Sequence, residues 1–508
     1  MTNNILVTMS PAAIAVNRFG LGLNSGSSQN TLAINASLSQ SKQWLSNQLS
    51  VYQAAPAAWA NQAKTADVIA QYQQTMQAMK QADNSQKQTS KQQFRKEIRG
   101  DYEDAVTARA MSAITSNTSF VERLVHFWAN HFAISIEKPA MAELAGAFEL
   151  EAIRPFILGS FTDLLLAVEK HPAMLTYLDQ VKSIGPNSPA AARLAQRAND
   201  SQPDKKRGLN ENLAREIMEL HTLGVRSGYS QEDVTEFARA LTGWSMAGLG
   251  NQKTNAGKTV GQQLKRGMFN KKNQQAEVIE ANGFAFRPLI HEPGSRTILG
   301  KTYDENPENA ELQASNILRD LATSDATAQH IAFKLARHFV SDTPPTSLVD
   351  KLANAYRANK GNLTQVYQTL IDAPEAWNAA PAKFKTPWEW LISSLRGLSI
   401  YQQNSLNMRN INVAHIMNQL GEPVWKPGSP AGYDDIAESW AAPNALLRRV
   451  ELAQRLANPL GDKVDARTLS EQLLLGSMST QTKTAIARSE SAATGLALLL
   501  VSPEFLRR

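Results

Sequence analysis

The chain has 508 residues, 43% of them hydrophobic, and a formal net charge of +6 from 52 Lys and Arg against 46 Asp and Glu. That is enough apolar material for two or three ordinary domains or one large helical body. Zero cysteines exclude disulfides, thiolate zinc sites and cysteine nucleophiles, and no apolar run approaches the ~18 residues of a membrane-spanning helix.

The opening residues, MTNNILVTMSPAAIAVNRFG, lack a basic segment followed by an apolar core and a cleavage site. The expectation is a cytoplasmic chain, or a periplasmic one whose signal preceded this numbering. Residues 62–112 are rich in Gln, Lys and Ala with few large apolar side chains, which suits an exposed helical hairpin. A helix follows, with Ser119 and Glu122 spaced as a capping box. Its apolar face carries Phe120, Val121, Leu124, Phe127, Trp128 and Phe132, with His131 in the middle of that face. Arg123, His126 and Asn130 line the other side, so His126 is the better candidate for chemistry and His131 reads as a hydrogen-bonded core histidine.

Residues 183–208 carry Gly, Pro, Ser and Asn at high density and read as a loop or flap. The stretch LNENLAREIMELHTLGVRSGYSQEDVTEFARALTGW (209–244) then places two amphipathic helices around a glycine-containing turn. At 100° per residue Leu213, Ile217 and Leu220 form the buried stripe. Asn212, Glu216 and Glu219 share a neighbouring arc with Arg215 at its edge, and His221 lies on the opposite flank. The bland account is a boundary network in which Arg215 and Glu219 pair at i,i+4. The functional account is a ligand or acid–base face.

Residues 246–282 are again polar and rich in Gly and Asn. The basic clusters Asp204–Arg207 and Lys265–Lys272, which include Lys205, Lys206, Lys265, Lys271 and Lys272, read as solvated loops. Only Phe269 interleaves them, too little for a nucleic-acid groove. FAFRPLIHEPGSRTILGKTY predicts one small β-hairpin turning at Glu-Pro-Gly-Ser, with His291 and Glu292 projecting from the turn. From Glu311 the pattern is helical, through IAFKLARHF with His338 on its stripe, and is interrupted by GEPVWKPGSPAGYDD (421–435). There Trp425, Lys426, Tyr433, Asp434 and Asp435 stand among stiffening prolines. Trp425 serves either as a platform for a ligand or as a staple to the core.

The echo of WANHF and LARHF suggests a buried histidine pair, which with carboxylates would bind a divalent metal. No HExxH, GxSxG, Walker loop or post-strand GxGxxG occurs, and no βαβ series would carry one. Phosphate-loop NTPase, nicotinamide dehydrogenase and α/β-hydrolase readings are therefore disfavoured. The fold expected is mainly α: a helical lobe over 1–245, a loop and hairpin segment over 246–310, and a second helical lobe over 311–508.

AVNRFGLG, ERLVHFWANHFAIS, the 209–244 stretch, FRPLIHEPGSRTILGKTY, LGEPVWKPGSPAGYDD and LVSPEFLRR together resemble the bacterial domain-of-unknown-function 1800 family over nearly the whole chain. The resemblance implies a largely helical fold. It also implies a partner, a domain-of-unknown-function 1501 protein of the sulfatase and phosphatase-like group.

Three functions stand against one another. The first is an enzyme, foremost a hydrolase of a carbohydrate-like or other polar substrate, with an interlobe cleft lined by Glu216, Glu219, His126 and His291. Asn212, Arg215, Asn130, Arg123, Glu292 and Trp425 would bind substrate there. The second is a non-catalytic accessory protein of the family-1501 partner, docking through 62–112. The third is a binder of acidic polymer through the basic clusters. The enzyme reading requires its four acid–base residues to converge.

Overall fold

The computed structural model describes residues 8–26, 32–81, 83–198, 208–247, 278–306, 309–399 and 411–508. The basic clusters at 204–207 and 265–272 lie outside them. Among the described residues the chain is mainly α. The helices of eight residues or more in the first half are α1 (Leu38–Val51), α2 (Thr65–Gln81), α3 (Asn84–Thr115), α4 (Ser119–His131), α5 (Pro139–Phe148), α6 (Phe161–Glu169), α7 (Pro189–Ala198) and α8 (Gln231–Leu241). The second half adds α9 (Glu311–Ala322), α10 (Asp325–Phe339), α11 (Thr346–Ala358), α12 (Leu363–Asp372), α13 (Pro387–Gly397), α14 (Val413–Leu420), α15 (Pro443–Ala457), α16 (Ala466–Leu474), α17 (Thr480–Ala487) and α18 (Ala492–Leu500). No described helix is long and apolar enough to cross a membrane.

One hydrophobic cluster runs from Met9 to Leu506. First-half helices pack directly on second-half ones: α1 on α12, α3 on α13 and α14, and α6 on α9. Helix α4 is central, and every residue in it except Asn130 is buried. A helix buried all round must hand its polar side chains to protein rather than water, so Glu122, Arg123 and His126 face other helices. The expected capping box is absent: Thr118 precedes the helix without a side-chain cap, and Glu122 instead binds Arg154, with oxygens 2.7 and 2.9 Å from its guanidinium nitrogens.

The AVNRFGLG segment packs on the same centre. Residues Ile14–Phe19 form a π-helical turn, from which buried Arg18 donates to the carbonyls of Ala376, Asn378 and Ala380. The Gly20 carbonyl accepts from Arg123 at 2.8 Å. Two further π-helical turns, Glu149–Ile153 and Ile217–His221, also carry buried charged or imidazole groups.

Three expectations change in detail. Helices α2 and α3 do form the 62–112 hairpin, but its exposure ends at Tyr102, beyond which Val106, Ala110, Ala113 and Ile114 are core. The 183–208 segment is not all loop, because Pro189 opens α7 and the Ala-rich run behind it favours helix. The β signal resolves into two pieces. Strands β1 (Trp244–Met246), β2 (Val278–Ile279) and β3 (Phe284–Phe286) form an antiparallel sheet in the order β1-β3-β2. The hairpin is β4 (Arg296–Ile298) with β5 (Lys301–Tyr303), turning at Leu299-Gly300 rather than at Glu-Pro-Gly-Ser. Both turn residues have positive φ, 51° and 76°, as a two-residue hairpin turn requires. Pro288 and Pro293 remove ladder donors from the stretch upstream.

Candidate functional site

The four residues expected to converge sit among different neighbours. Glu216 and Glu219 lie half-buried on the short helix Asn212–Glu216 and its π-helical extension. Arg215 bridges Glu211 at 3.3 Å and Glu219 at 3.6 Å, the boundary network of the bland reading, and exposed Asn212 donates its backbone N–H to the Asn210 side chain. His291 is buried against Phe286, and its Nδ1–H donates to the Thr242 carbonyl at 2.7 Å. Glu292 accepts from the backbone and side chain of Asn187 at 2.7 and 2.6 Å. None of these contacts reaches His126, so the four do not form the interlobe cleft that the enzyme expectation requires, and any acid–base site must be built on other residues.

His126 belongs to a larger assembly built where α4 meets α10, α13 and the 421–435 loop. The N-terminus of α13 supplies its hub. Thr386 and Glu389 form a capping box, and the same Glu389 carboxylate pairs with Arg123 from α4 and with Arg508, whose Nη2 lies 2.9 Å away. Burial alone would raise the Glu389 carboxyl, but Arg123 and Arg508 outweigh it and hold it at about 2. One residue before Glu389, Trp388 donates its indole N–H to Nδ1 of His126 at 3.2 Å. The 421–435 loop is clamped from below. Asn130 donates to the Tyr433 carbonyl at 2.9 Å and accepts from its N–H at 2.7 Å. Trp425 is buried, donating to Glu149 with Arg109 5.5 Å from its ring. It is a staple and not a platform.

This clamping delivers Asp435 to α10. Its Oδ2 lies 2.7 Å from Nδ1 of His338, so that nitrogen carries the proton. Its Oδ1 is 3.0 Å from the Lys383 ammonium, which also holds Asp342 at 2.7 Å. Burial would raise Asp435, yet His338, Lys383 and Arg508 together push it well below the ordinary carboxylate range. Asp435 is therefore ionised at any working pH. The imidazole of His338 stays neutral, because burial lowers its pKa more than Asp435 raises it. Its Nε2, itself buried, has no protein hydrogen-bond partner among the described residues, which leaves its lone pair unengaged. His126 is complementary: with Nδ1 accepting from Trp388, its buried Nε2 carries the proton and has no hydrogen-bond partner among the described residues, the Glu122 carboxylate standing 3.9 Å away. Burial, then Arg109, Arg154, Arg123 and His338, hold His126 neutral.

His131 and His338 are not the buried pair suggested by their sequence echo. His131 instead neighbours His221 and His330, with ring centroids 6.1 and 6.2 Å away, and bonds the His221 carbonyl at 3.1 Å. His221 turns to Glu169 at 2.7 Å. Among the described residues no three His, Asp or Glu side chains are grouped to hold a metal ion. A surface cavity of about 470 Å³ lies between α14 and α15, lined by Asn418, Gln419, Arg448, Glu451 and Arg455 among others; it touches none of the residues nominated from sequence.

Sequence reasoning missed Glu389, Lys383, Asp342 and Arg508 as parts of one site. The TPWE capping box was legible and would have fixed the α13 start, but nothing local joins it to Arg508.

Fold and site thus define a helical protein built around a buried network of arginines, carboxylates and imidazoles. The chain belongs to the family described as "Protein of unknown function (DUF1800)", whose model matches residues 14–507. No curated protein and no solved structure matches it.

Proposed function

We propose that the protein is an acid–base enzyme, a hydrolase of a polar substrate, with His338 as its base. The observation that carries this reading is the 2.7 Å contact of Asp435 with Nδ1 of His338, while Nε2 has no protein partner. A carboxylate held ionised behind an imidazole fixes its tautomer and stabilises the imidazolium that forms on proton uptake. His338 would take a proton from water and return it to the leaving group. His126, neutral and protonated on Nε2 with the Glu122 carboxylate 3.9 Å away, is the second imidazole of the assembly and our candidate donor to a developing oxyanion.

The test is a turnover screen of the purified chain on chromogenic glycosides and on carboxylate, phosphate and sulfate esters, with His338→Gln beside it. His338→Gln is expected to lower turnover on the order of 100-fold or more; equal rates would remove His338 from the chemistry. A second reading, an accessory protein of a family-1501 partner, is favoured by the outer face of α3, where Gln92, Arg95, Lys96 and Arg99 are all exposed. It predicts that Arg95→Glu with Lys96→Glu abolishes co-purification with that partner.

A further inference from the structure

We propose that Lys334 and Arg337 form an oxyanion-binding subsite beside His338, so that the substrate of this site carries a carboxylate, sulfate or phosphate group. The proposal rests on the acid–base reading of His338 for its role in turnover, but the binding it asserts can be measured without turnover.

The argument starts from α10. Its buried stripe is Ala328, Ile331, Ala332, Leu335, Ala336 and Phe339. Lys334 and His338 are four residues apart and Arg337 is three from Lys334, so the three side chains share a flank of the helix. All three are half-buried rather than sealed in the core.

The cations around them fall into two groups. Arg123 and Arg508 share Glu389, and Lys383 holds Asp342 and Asp435. Lys334 and Arg337 have no hydrogen bond or ion pair among the described residues. The Arg337 guanidinium rests 4.5 Å from the centre of the Phe333 ring, and its buried Nε has no partner. Asp435 attracts Lys334, but its two oxygens are already engaged by His338 and Lys383. Two like charges at i,i+3 repel each other, and partial burial makes that repulsion costlier than on an open surface.

An oxyanion bridging the two relieves both costs. A guanidinium presents a planar fork to two oxygens and an ammonium a point charge to a third. The titratable and charged groups facing Lys334 are Asp435 from the loop, the neutral His131 from α4, and the neutral His330 and cationic Arg337 from its own helix. Of these only Asp435 is negative. Burial first, and Arg337 after it, lower the Lys334 ammonium to about 8. Anion binding should therefore weaken as pH rises through 8, a signature that the permanently charged arginine alone would not give.

Isothermal titration of the full chain with inorganic phosphate, inorganic sulfate and galacturonic acid in low-salt buffer tests this and identifies which oxyanion the site prefers. The expected result is saturable one-site binding of at least one probe, weakened tenfold or more in Lys334→Met and in Arg337→Met, and weakened between pH 7 and pH 9 in the wild type. Lys351→Met, which removes an exposed lysine paired with Glu375, should bind as the wild type does. His338→Gln should also retain binding, so failure of the acid–base reading appears in turnover and failure of the subsite appears in heat. No saturable binding of any probe, or unchanged affinity in both α10 variants, would overturn the proposal.

Discussion

The indole N–H of Trp388 donates to Nδ1 of His126 across 3.2 Å, at 5.4 Å between ring centres and an interplanar angle of 90°. That contact fixes the tautomer and places the remaining proton on Nε2. The two amide replacements of His126 then separate its roles. Asn offers an oxygen near the Nδ1 position and keeps the Trp388 bond, whereas Gln can place an N–H near Nε2. His126→Gln should retain most turnover and His126→Asn should lose on the order of 100-fold, the usual effect of deleting one donor to a developing oxyanion. The reverse order of activities would show that the Trp388 bond, and not the Nε2 donor, is what matters.

Asp435 neutralises Lys383 and orients His338, so its removal acts on stability as well as on chemistry. Asp435→Asn keeps the shape and deletes the charge, leaving an almost fully buried lysine with Asp342 as its one carboxylate among the described residues. Because Lys383 keeps Asp342 and Asp435 is 22% exposed, the loss is expected to be about 1–2 kcal/mol, below the range for a fully uncompensated buried charge. Asp434→Asn, one residue away and exposed, should change stability by less than about 0.5 kcal/mol. Urea unfolding of the two variants side by side decides; equal midpoints would sever the link between Asp435 and Lys383.

Much of the fold was legible because helical periodicity is local. The α4 stripe, the helices of 209–244 and the helical run after Glu311 follow from spacing alone. What spacing could not give is which polar flank meets protein. Arg123 and His126 look like a solvent face on a wheel, yet α4 is wrapped on all sides by segments from distant parts of the sequence. Glu216 and Glu219 show the converse case. Their clustering on one arc suggested chemistry, and the structure pairs half-buried Glu219 with Arg215 while Glu216 takes no part in that pair. Asp435 was in view as a loop residue, but its meeting with His338, 97 positions away, depends on the Asn130–Tyr433 clamp.

Glu219 accordingly offers a direct contrast with Asp435. Its contact with Arg215 is 3.6 Å long, with the two side chains 27% and 37% exposed, so screening and side-chain entropy leave little net energy. Glu219→Gln should cost less than about 1 kcal/mol and leave turnover unchanged. A loss of activity comparable to that of His338→Gln would return the 209–244 stretch to the site.

The clamp on the 421–435 loop depends on Gly432. Its φ is +81°, and a Cβ there would strike the backbone oxygen and side chain of Asn130. Gly432→Ala is therefore strained twice, by backbone conformation and by collision, and should destabilise by about 1–3 kcal/mol. The lesion should be local. Limited proteolysis is expected to cut the loop faster, and His338 should lose its orienting carboxylate. Gly428→Ala, in open space without positive φ, serves as the control. If both variants resist protease equally, the loop is held by something other than this contact.

The imidazoles make the fold acid-sensitive with a definite sign. His126, His131, His171, His291, His330 and His338 are all held below their ordinary value, primarily by burial. His330 lies at about 4. As pH falls below about 6.5 the unfolded chain takes up protons that the folded one refuses, so stability drops until the folded values are reached. Each such group contributes a slope of up to about 1.4 kcal/mol per pH unit. Four carboxyls act the other way: Glu143 and Glu422, raised to about 7 chiefly by burial, and Asp101 and Glu216, also raised chiefly by burial, keep protons in the folded state and favour it as pH falls. Six imidazoles, whose ordinary value lies inside the pH 7 to 5 interval, outweigh the four carboxyls and leave a net loss. The urea midpoint should decline from pH 7 to pH 5, and His330→Gln, replacing a half-buried ring that bonds the Leu220 carbonyl at 3.1 Å, should flatten that decline. A midpoint constant across the interval would mean that these imidazoles take up protons in the folded state, and the neutral tautomers assigned to His126 and His338 would fall with it.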